Sequence, residues 1–169
     1  MTLRRLSPDD LAAFQAYRHD PEVGRWQGWQ PQSDARALAF LNEMATGPMF
    51  APGSWTQLGI ADDLTGQLIG DLGVHVSDDG LEAEFGFSLA RAAQGRGLAS
   101  AAVREAVQWV FERTRVQRIH AQTDSRNLAC LRLLERLGAT RLATLATEFR
   151  GEPCVEFRYE LACRQAPSA

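Results

Sequence analysis

Apolar and polar residues alternate along the chain with two different periods, and each period predicts one kind of element. A period of two is typical of half-buried strands, and spacings of three and four are typical of amphipathic helices. Strands are predicted over residues 2–6, 55–61, 67–76, 82–89, 116–123, 142–149 and 154–161. Helices are predicted to begin near Ser7 and near Ser33 or Asp34, and to cover residues 98–113 and 127–137. This order predicts an α+β fold in which helices pack on the faces of a mixed sheet.

The predicted strand over residues 82–89 separates an apolar face from a polar face most clearly. Glu82, Glu84, Gly86 and Ser88 share the polar face, opposite Ala83, Phe85, Phe87 and Leu89. In the preceding strand, Asp71 and His75 lie opposite Leu68, Leu72, Val74 and Val76. We expect Asp71 to be a solvated charge, with binding of a cationic amine as the alternative. His75 and His120 are expected to be surface or groove residues.

Composition limits the chemistry available to the chain. Its 169 residues predict one domain over residues 1–163 and a flexible tail over 164–169. All of its basic residues are arginine, so the Schiff-base lysine and the phosphate-binding lysine of a nucleotide P-loop are both excluded. The net charge of −3 argues against a nucleic acid or an anionic membrane as partner.

Cysteine and histidine usage indicates neither a disulfide framework nor a metal site. Cys130, Cys154 and Cys163 have no paired Cys-x-x-Cys spacing, and the three histidines are scattered, with His19 expected to be exposed. The N-terminus becomes polar too early for a signal peptide. No apolar run approaches the ~20 residues that span a bilayer. We therefore expect a cytoplasmic protein without a metal.

The most informative segment is the loop Gln94-Gly95-Arg96-Gly97-Leu98-Ala99, between a predicted strand and a long predicted helix. Its glycines let the backbone approach a ligand closely, and the first N–H groups of a helix lack intrahelical partners. Together with the helix dipole they form an anion site suited to a pyrophosphate, to which Arg96 adds charge. A Rossmann fingerprint is excluded because Ser100 stands where its third glycine would be.

Three motifs, in this order, resemble those of the GNAT acetyltransferase superfamily. They are Glu84-Phe85-Gly86-Phe87-Ser88-Leu89, then the loop over residues 94–99, then Asn127-Leu128-Ala129-Cys130 with Glu135-Arg136-Leu137-Gly138-Ala139. The chain looks most similar to the branch of bacterial ribosomal-protein N-terminal acetyltransferases, the RimJ/RimL type. The resemblance implies a mixed, mostly antiparallel sheet with helices on both faces. It also implies direct transfer of an acetyl group from acetyl-CoA to a primary amine, on a protein N-terminus or a small molecule.

The same resemblance assigns residues to the cofactor and assigns no metal. In this family the glycine loop binds the acetyl-CoA pyrophosphate through backbone N–H groups, helped by the helix start at Ser100. The residues implied here are Gln94, Gly95, Arg96, Gly97, Leu98 and Ala99. Main-chain groups of Phe87, Ser88 and Leu89 are implied to pair with the pantetheine, and Asn127 is implied to contact the cofactor.

Acetyl transfer to an amine benefits from a base for the amine and an acid for the departing thiolate. Glu84 is the candidate base, because it lies on the polar face of the strand that enters the loop; we expect it to be partly buried in a cleft. Glu82, on the same face, is one alternative, and the other is that both glutamates are solvated strand carboxylates. The tyrosine that many family members use as acid is replaced by Leu134. In the ribosomal-protein branch a serine often stands three residues after the asparagine, and Cys130 occupies that position here. The resemblance makes Cys130 the candidate acid, with core packing or protonation of the thiolate by water as the alternatives.

No motif identifies the acceptor amine. The candidate acceptor-binding parts are the first helices, the loop that holds Trp26 and Trp29, and the turn at residues 150–153; the tryptophans alternatively pack over the core. The alternative function is a non-catalytic module on the same fold that binds CoA or a partner. A homodimer is compatible with the sequence, since edge strands need cover.

Overall fold

Within residues 1–163, which the computed structural model describes, seven strands form a sheet in the order β1-β2-β3-β4-β5-β7-β6. The strands are β1 (Thr2–Arg5), β2 (Trp55–Ala61), β3 (Leu68–Val76), β4 (Glu82–Leu89), β5 (Arg118–Asp124), β6 (Thr140–Phe149) and β7 (Glu152–Cys163). The helices are α1 (Leu11–Arg18), α2 (Pro21–Gly24), α3 (Asp34–Thr46), α4 (Leu98–Arg113) and α5 (Leu128–Arg136). The tail expected over 164–169 lies outside the described residues.

The parallel pairing of β4 with β5 sets the position of the site. The other pairings of this sheet are antiparallel, which confirms the mixed, mostly antiparallel sheet. The parallel register runs from Glu82 opposite Arg118 to Phe85 opposite Ala121, and it ends there. Since β4 continues to Leu89 and β5 to Asp124, the two strands have segments toward their carboxyl ends that are unpaired with each other.

Helices cover both faces of the sheet, as the sequence predicts. On one face, Leu72 and Val74 of β3 share a buried cluster with Val103 and Val110 of α4. On the other face, Asp71 of β3 contacts α1, whose apolar residues form a second cluster with α3. Because neighbouring residues of a strand point to opposite faces, these contacts place α4 and α1 on opposite sides.

The predicted elements are confirmed in type and order, with two local differences. The short helix α2 and the 3₁₀ turns at Pro8–Asp10 and Arg91–Ala93 are too short for apolar periodicity to reveal. The sequence pattern predicts Leu68 on the same apolar face as Leu72, and this prediction was wrong. The pairing of β2 with β3 shifts register beside Ala61, and Leu68 joins the cluster of α1 and α3 instead.

Helix starts follow their sequence signals. Ser7 caps the first 3₁₀ turn, and the carboxylate of Asp10 accepts a hydrogen bond from the backbone N–H of Ser7 in return. Ser33 is the N-cap residue of α3. Among residues 1–163, no helix combines the length and the apolar character needed to cross a bilayer.

Candidate active site

The loop before α4 leaves open space in front of the helix N-terminus. Gly95 and Gly97 have φ values of +73° and +77°, a left-handed conformation that favours glycine. A Cβ atom at either position would meet nothing within 4 Å. Gly97 is the N-cap, and no side chain of the described residues caps the helix. The first backbone N–H groups of this 16-residue helix are therefore available to an anion.

Ser100, in the first turn of α4, adds a buried hydroxyl to the same place. Ser100 is 7% exposed, and its Oγ has no hydrogen-bond partner within residues 1–163. A buried polar group without a partner costs about 1–3 kcal/mol, so such a group calls for an explanation. A bound phosphate oxygen would supply the missing partner. The exposed guanidinium of Arg96 lies in the loop that leads to this helix end.

The carboxyl end of β4 carries the residues expected to meet the pantetheine. Side-chain amides already contact two of its carbonyls: Gln27 Nε2 donates to Phe87 O at 2.9 Å, and Gln94 Nε2 donates to Leu89 O at 3.0 Å. Each carbonyl oxygen has a second lone pair, so these contacts leave it able to accept another bond. Trp29 Nε1 donates to Ser88 Oγ at 3.3 Å.

Asn127 and Cys130 lie at the start of α5, immediately after β5. Because β4 and β5 are parallel, α5 begins at the sheet edge from which the loop to α4 departs. Asn127 caps α5, its Oδ1 accepting from the backbone N–H of Cys130 at 3.2 Å. The Cys130 thiol is half-buried; burial raises its pKa above the usual range, partly offset by a hydrogen bond with Thr123. The thiol therefore stays protonated at neutral pH.

A cavity of about 220 Å³ lies over the paired segments of β4 and β5, next to the point where their pairing ends at Phe85 and Ala121. Residues of β3, β4, β5 and β7 form most of its lining. The lining residues are His75, Ser77, Glu82, Ala83, Glu84, His120, Ala121, Gln122 and Arg158. The expectation that His75 and His120 occupy a groove is confirmed. Within the described chain, no group of three or more His, Cys, Asp or Glu residues has a metal-binding arrangement.

The two carboxylates of the cavity have different surroundings. The carboxylate of Glu82 lies 3.6 Å from the Arg158 guanidinium and 3.5 Å from Nε2 of His120. Glu84 is exposed, so the expectation of a partly buried carboxylate was wrong. The reason is its position at the open side of the cavity, opposite His75 of β3 and His120 of β5 in the strand register. Glu84 is therefore the carboxylate more accessible to an arriving ligand.

Asp71 is not a solvated charge. It is 1% exposed and pairs with the Arg18 guanidinium of α1 at 2.6 Å. The Tyr17 hydroxyl and Gln57 Nε2 also donate to its carboxylate. Burial, reinforced by the Asp71 charge, raises the pKa of Tyr17 well above its usual value, so this hydroxyl remains a donor. These contacts hold α1 against the sheet. The periodicity of the sequence does not predict them, because the partners belong to separate elements.

Two segments expected near the acceptor contact each other. Arg150, at the turn between β6 and β7, donates to the carbonyls of Gly24 and Gln27, both at 3.0 Å. Trp29 packs its ring against the Arg18 guanidinium, 4.4 Å from Cζ to the ring centroid. Trp26 lies between the guanidinium groups of Arg25 and Arg126. The loop is held by these contacts beside the carboxyl end of β4, through Gln27 and Trp29.

Comparison with known proteins identifies the family. A family model described as an acetyltransferase (GNAT) domain matches residues 1–140. The chain therefore belongs to the GNAT acetyltransferase family, whose members use acetyl-CoA to acetylate amines, and it is an acyltransferase. Its fold and the open helix end beside the unpaired segment of β4 agree with this membership.

Individual relatives are distant in sequence. An uncharacterized N-acetyltransferase, p20, from Bacillus licheniformis is 28% identical over 138 residues, which cover 81% of this chain and 77% of that protein. The ribosomal L7/L12 α-N-protein acetyltransferase RimL, solved with coenzyme A, matches with a TM-score of 0.80 at 15% identity, over 94% of this chain and 91% of that chain. A mutant of the spermidine N-acetyltransferase SpeG from Vibrio cholerae matches with a TM-score of 0.76 at 20% identity, over 95% and 94%. At these identities the two solved structures show the fold alone.

Proposed function

We propose that this chain transfers the acetyl group of acetyl-CoA directly to a primary amine held in the cavity beside Glu84 and His120. One observation carries the proposal. The parallel pairing of β4 with β5 ends between an open helix N-terminus on one side and a cavity with two carboxylates on the other. A ligand that extends from the helix end along the unpaired segment of β4 would reach the cavity with its far end.

The cofactor loop binds the pyrophosphate through the backbone N–H groups at the start of α4. The open space at Gly95 and Gly97 and the unpartnered hydroxyl of Ser100 support this assignment. Arg96 contributes charge, and Gln94, Leu98 and Ala99 contribute the remaining backbone of the loop. Main-chain groups of Phe87, Ser88 and Leu89 pair with the pantetheine, and Asn127 at the facing edge contacts it. RimL, solved with coenzyme A on the same fold, is consistent with this placement.

Glu84 attracts the acceptor and takes up its first proton. An aliphatic amine arrives mostly as an ammonium ion at neutral pH and must lose a proton before it can attack a thioester. Glu84 is exposed and, among the ion pairs of residues 1–163, has none within 4 Å, whereas Glu82 faces Arg158. Exposure also lets Glu84 return the proton to solvent. We therefore keep Glu84 rather than Glu82 as the group that meets the ammonium.

Cys130 supplies a proton to the departing thiolate. A thiol is a weak hydrogen-bond donor, but the raised pKa of Cys130 keeps its proton in place at neutral pH. Acetyl-CoA itself supplies the activated acetyl group.

The acceptor is the α-amine of a protein or a small aliphatic amine. A cavity of about 220 Å³ admits an amine and its first carbons, while the rest of a larger acceptor stays outside. RimL and SpeG are named for a ribosomal-protein α-amine and for spermidine, so the fold serves both kinds of acceptor. The same proposal includes three further assignments. They are membership of the RimJ/RimL-type branch, a cytoplasmic location, and one domain over residues 1–163. A homodimer, which would cover the exposed edge strand β6, also remains a proposal.

A screen of amines for CoA release tests the proposal. Purified chain, acetyl-CoA and a panel of amino-terminal peptides, polyamines and small amines are incubated, and free thiol and acetylated product are measured. We expect release with at least one amine. Glu84→Gln should lower kcat about 100-fold, the lower range for loss of a positioned proton acceptor. The matched control Glu112→Gln, an exposed carboxylate at the far end of α4, should leave kcat unchanged.

Two results would contradict the proposal. Acetyl-CoA binding without thiol release across the whole panel would indicate a non-catalytic module instead. Equal kcat values for Glu84→Gln and the unaltered chain between pH 6 and 9 would remove Glu84 from its assigned role.

A further inference from the structure

His120 is a buried histidine whose imidazole forms part of the cavity wall without a hydrogen-bond partner. It is 6% exposed, and neither Nδ1 nor Nε2 makes a hydrogen bond within residues 1–163. Since a neutral imidazole carries one donor and one acceptor, burial without partners costs free energy. Structural histidines in a core normally have both nitrogens satisfied. The arrangement therefore points to a ligand that approaches the ring from the cavity.

Two glutamates of β4 are neighbours of His120. Nε2 lies 3.5 Å from Oε2 of Glu82, within ion-pair distance but without the geometry of a hydrogen bond. Glu84 lies opposite His120 in the parallel register of β4 and β5. The titratable and charged groups that face this side of the sheet around His120 are His75, Glu82, Glu84, Arg118, Glu156, Arg158 and Glu160.

Acetylation of an ammonium ion requires that its nitrogen lose two protons. One proton leaves before attack, and the other leaves as the C–N bond forms and the C–S bond breaks with its electron pair on sulfur. Cys130 gives one proton to the thiolate and regains one from solvent, so one proton is released overall. Glu84 accounts for the first proton in the proposed function, and the second needs an acceptor beside the same nitrogen.

We propose that His120 is a further catalytic residue, whose unpartnered imidazole accepts the second proton from the acceptor nitrogen. Glu82 then holds the imidazolium until its proton returns to solvent through the open side of the cavity. The Arg158 guanidinium lies 3.6 Å from the Glu82 carboxylate and orients it. The inference rests on the proposed function, since it concerns the same amine in the same cavity. It also explains why a polar ring is buried there without partners.

Chemical rescue tests this role in the full-length chain. His120→Asn keeps a polar side chain but cannot carry a proton, and we expect it to lower kcat about 100-fold with little change in the KM for acetyl-CoA. His120→Ala leaves a space beside the cavity that free imidazole can enter. Added imidazole should raise the kcat of this variant at least tenfold. Glu112→Gln, at an exposed carboxylate at the far end of α4, is the control here too and should keep the kcat of the unaltered chain.

The outcomes separate this inference from the proposed function. An unaltered chain that releases no CoA with any amine would contradict the proposed function itself. An active unaltered chain, together with an unchanged kcat in His120→Asn, would overturn only the role of His120. If His120→Asn and His120→Ala lose activity while their circular dichroism spectra and acetyl-CoA affinities stay unchanged, absence of imidazole rescue also overturns it. Should both variants lose their fold, Glu82→Gln decides: unchanged kcat overturns the inference, and a fall of about tenfold supports it.

Discussion

Burial decides the chemistry of the small polar side chains near the cofactor loop. Ser100 has a hydroxyl without a partner, while Cys130 has a thiol whose proton is held by burial. The two residues differ in how far the sequence could reveal them. The motif at residues 127–130 pointed to Cys130, whereas the isolation of the Ser100 hydroxyl depends on the packing of α4 and has no sequence signature.

The pH dependence of Cys130 alkylation follows from its raised pKa. A raised pKa means less thiolate at any given pH below it, and the thiolate is the form that reacts. Iodoacetamide should therefore modify Cys130 in the folded chain more slowly than free cysteine at pH 8, and the rate should keep rising beyond pH 9. Peptide mapping by mass spectrometry measures this rate.

The control for this prediction is the same chain in denaturant, where Cys130 should react as fast as free cysteine. Folded-state alkylation that already levels off below pH 8 would show a lowered pKa and contradict the assignment of Cys130 as a proton donor.

In the proposed function, cofactor binding depends on the loop and helix formed by residues 94–113. The left-handed φ values of Gly95 and Gly97 place their α-carbons against open space. The sequence alone predicts this loop and helix well, because glycines before a long amphipathic helix indicate both the turn and the start of the helix. It does not predict that Gln27 and Arg150 meet beside β4, since contacts between distant segments have no local pattern.

Substitution of Gly97 distinguishes the effect of backbone strain on stability from the effect of a lost cofactor contact on binding. Gly97→Ala places a Cβ in the open space and forces a left-handed alanine, which costs about 1–2 kcal/mol of unfolding free energy. Gly66→Ala in the turn between β2 and β3 is the matched control, because its φ is +69° and its Cβ also meets nothing within 4 Å. We expect similar losses of stability in urea denaturation. Only Gly97→Ala should weaken acetyl-CoA binding, by about tenfold.

Equal acetyl-CoA affinities in the two alanine variants, measured alongside equal stabilities, would mean that the space at Gly97 does not receive the cofactor.

Across the whole molecule, the sheet order brings together side chains that are far apart in the sequence. Because β4 pairs with β3 on one edge and with β5 on the other, Glu84 lies between His75 and His120 in the strand register. Periodicity placed each of these residues on the polar face of its strand, so the candidate base and the groove histidines were predictable. Their common cavity was not, because it depends on strand order and register. The same limit explains Asp71, whose ion pair with Arg18 is set by how α1 crosses the sheet.

The family resemblance predicts only some of the features that the periodicity of the sequence does not predict. Membership in the GNAT family, shown by the match over residues 1–140, establishes an acyltransferase with the expected fold. The proposed acceptor site, formed by the cavity and the loop held by Arg150, includes only Glu84 from the shared motifs. The fold was therefore predictable from the sequence, and the cofactor-binding residues stay a prediction, while the buried surroundings of His120 were visible only in the structure.

Calorimetric titration of the full-length chain with acetyl-CoA tests the central claim most directly, because every proposed step begins with that complex. The account predicts saturable binding of one acetyl-CoA per chain, weakened by raised salt since phosphates contribute charge contacts near Arg96. Absence of detectable binding to folded, unaltered chain would contradict the assignment of the loop over residues 94–100, and with it the proposed transfer.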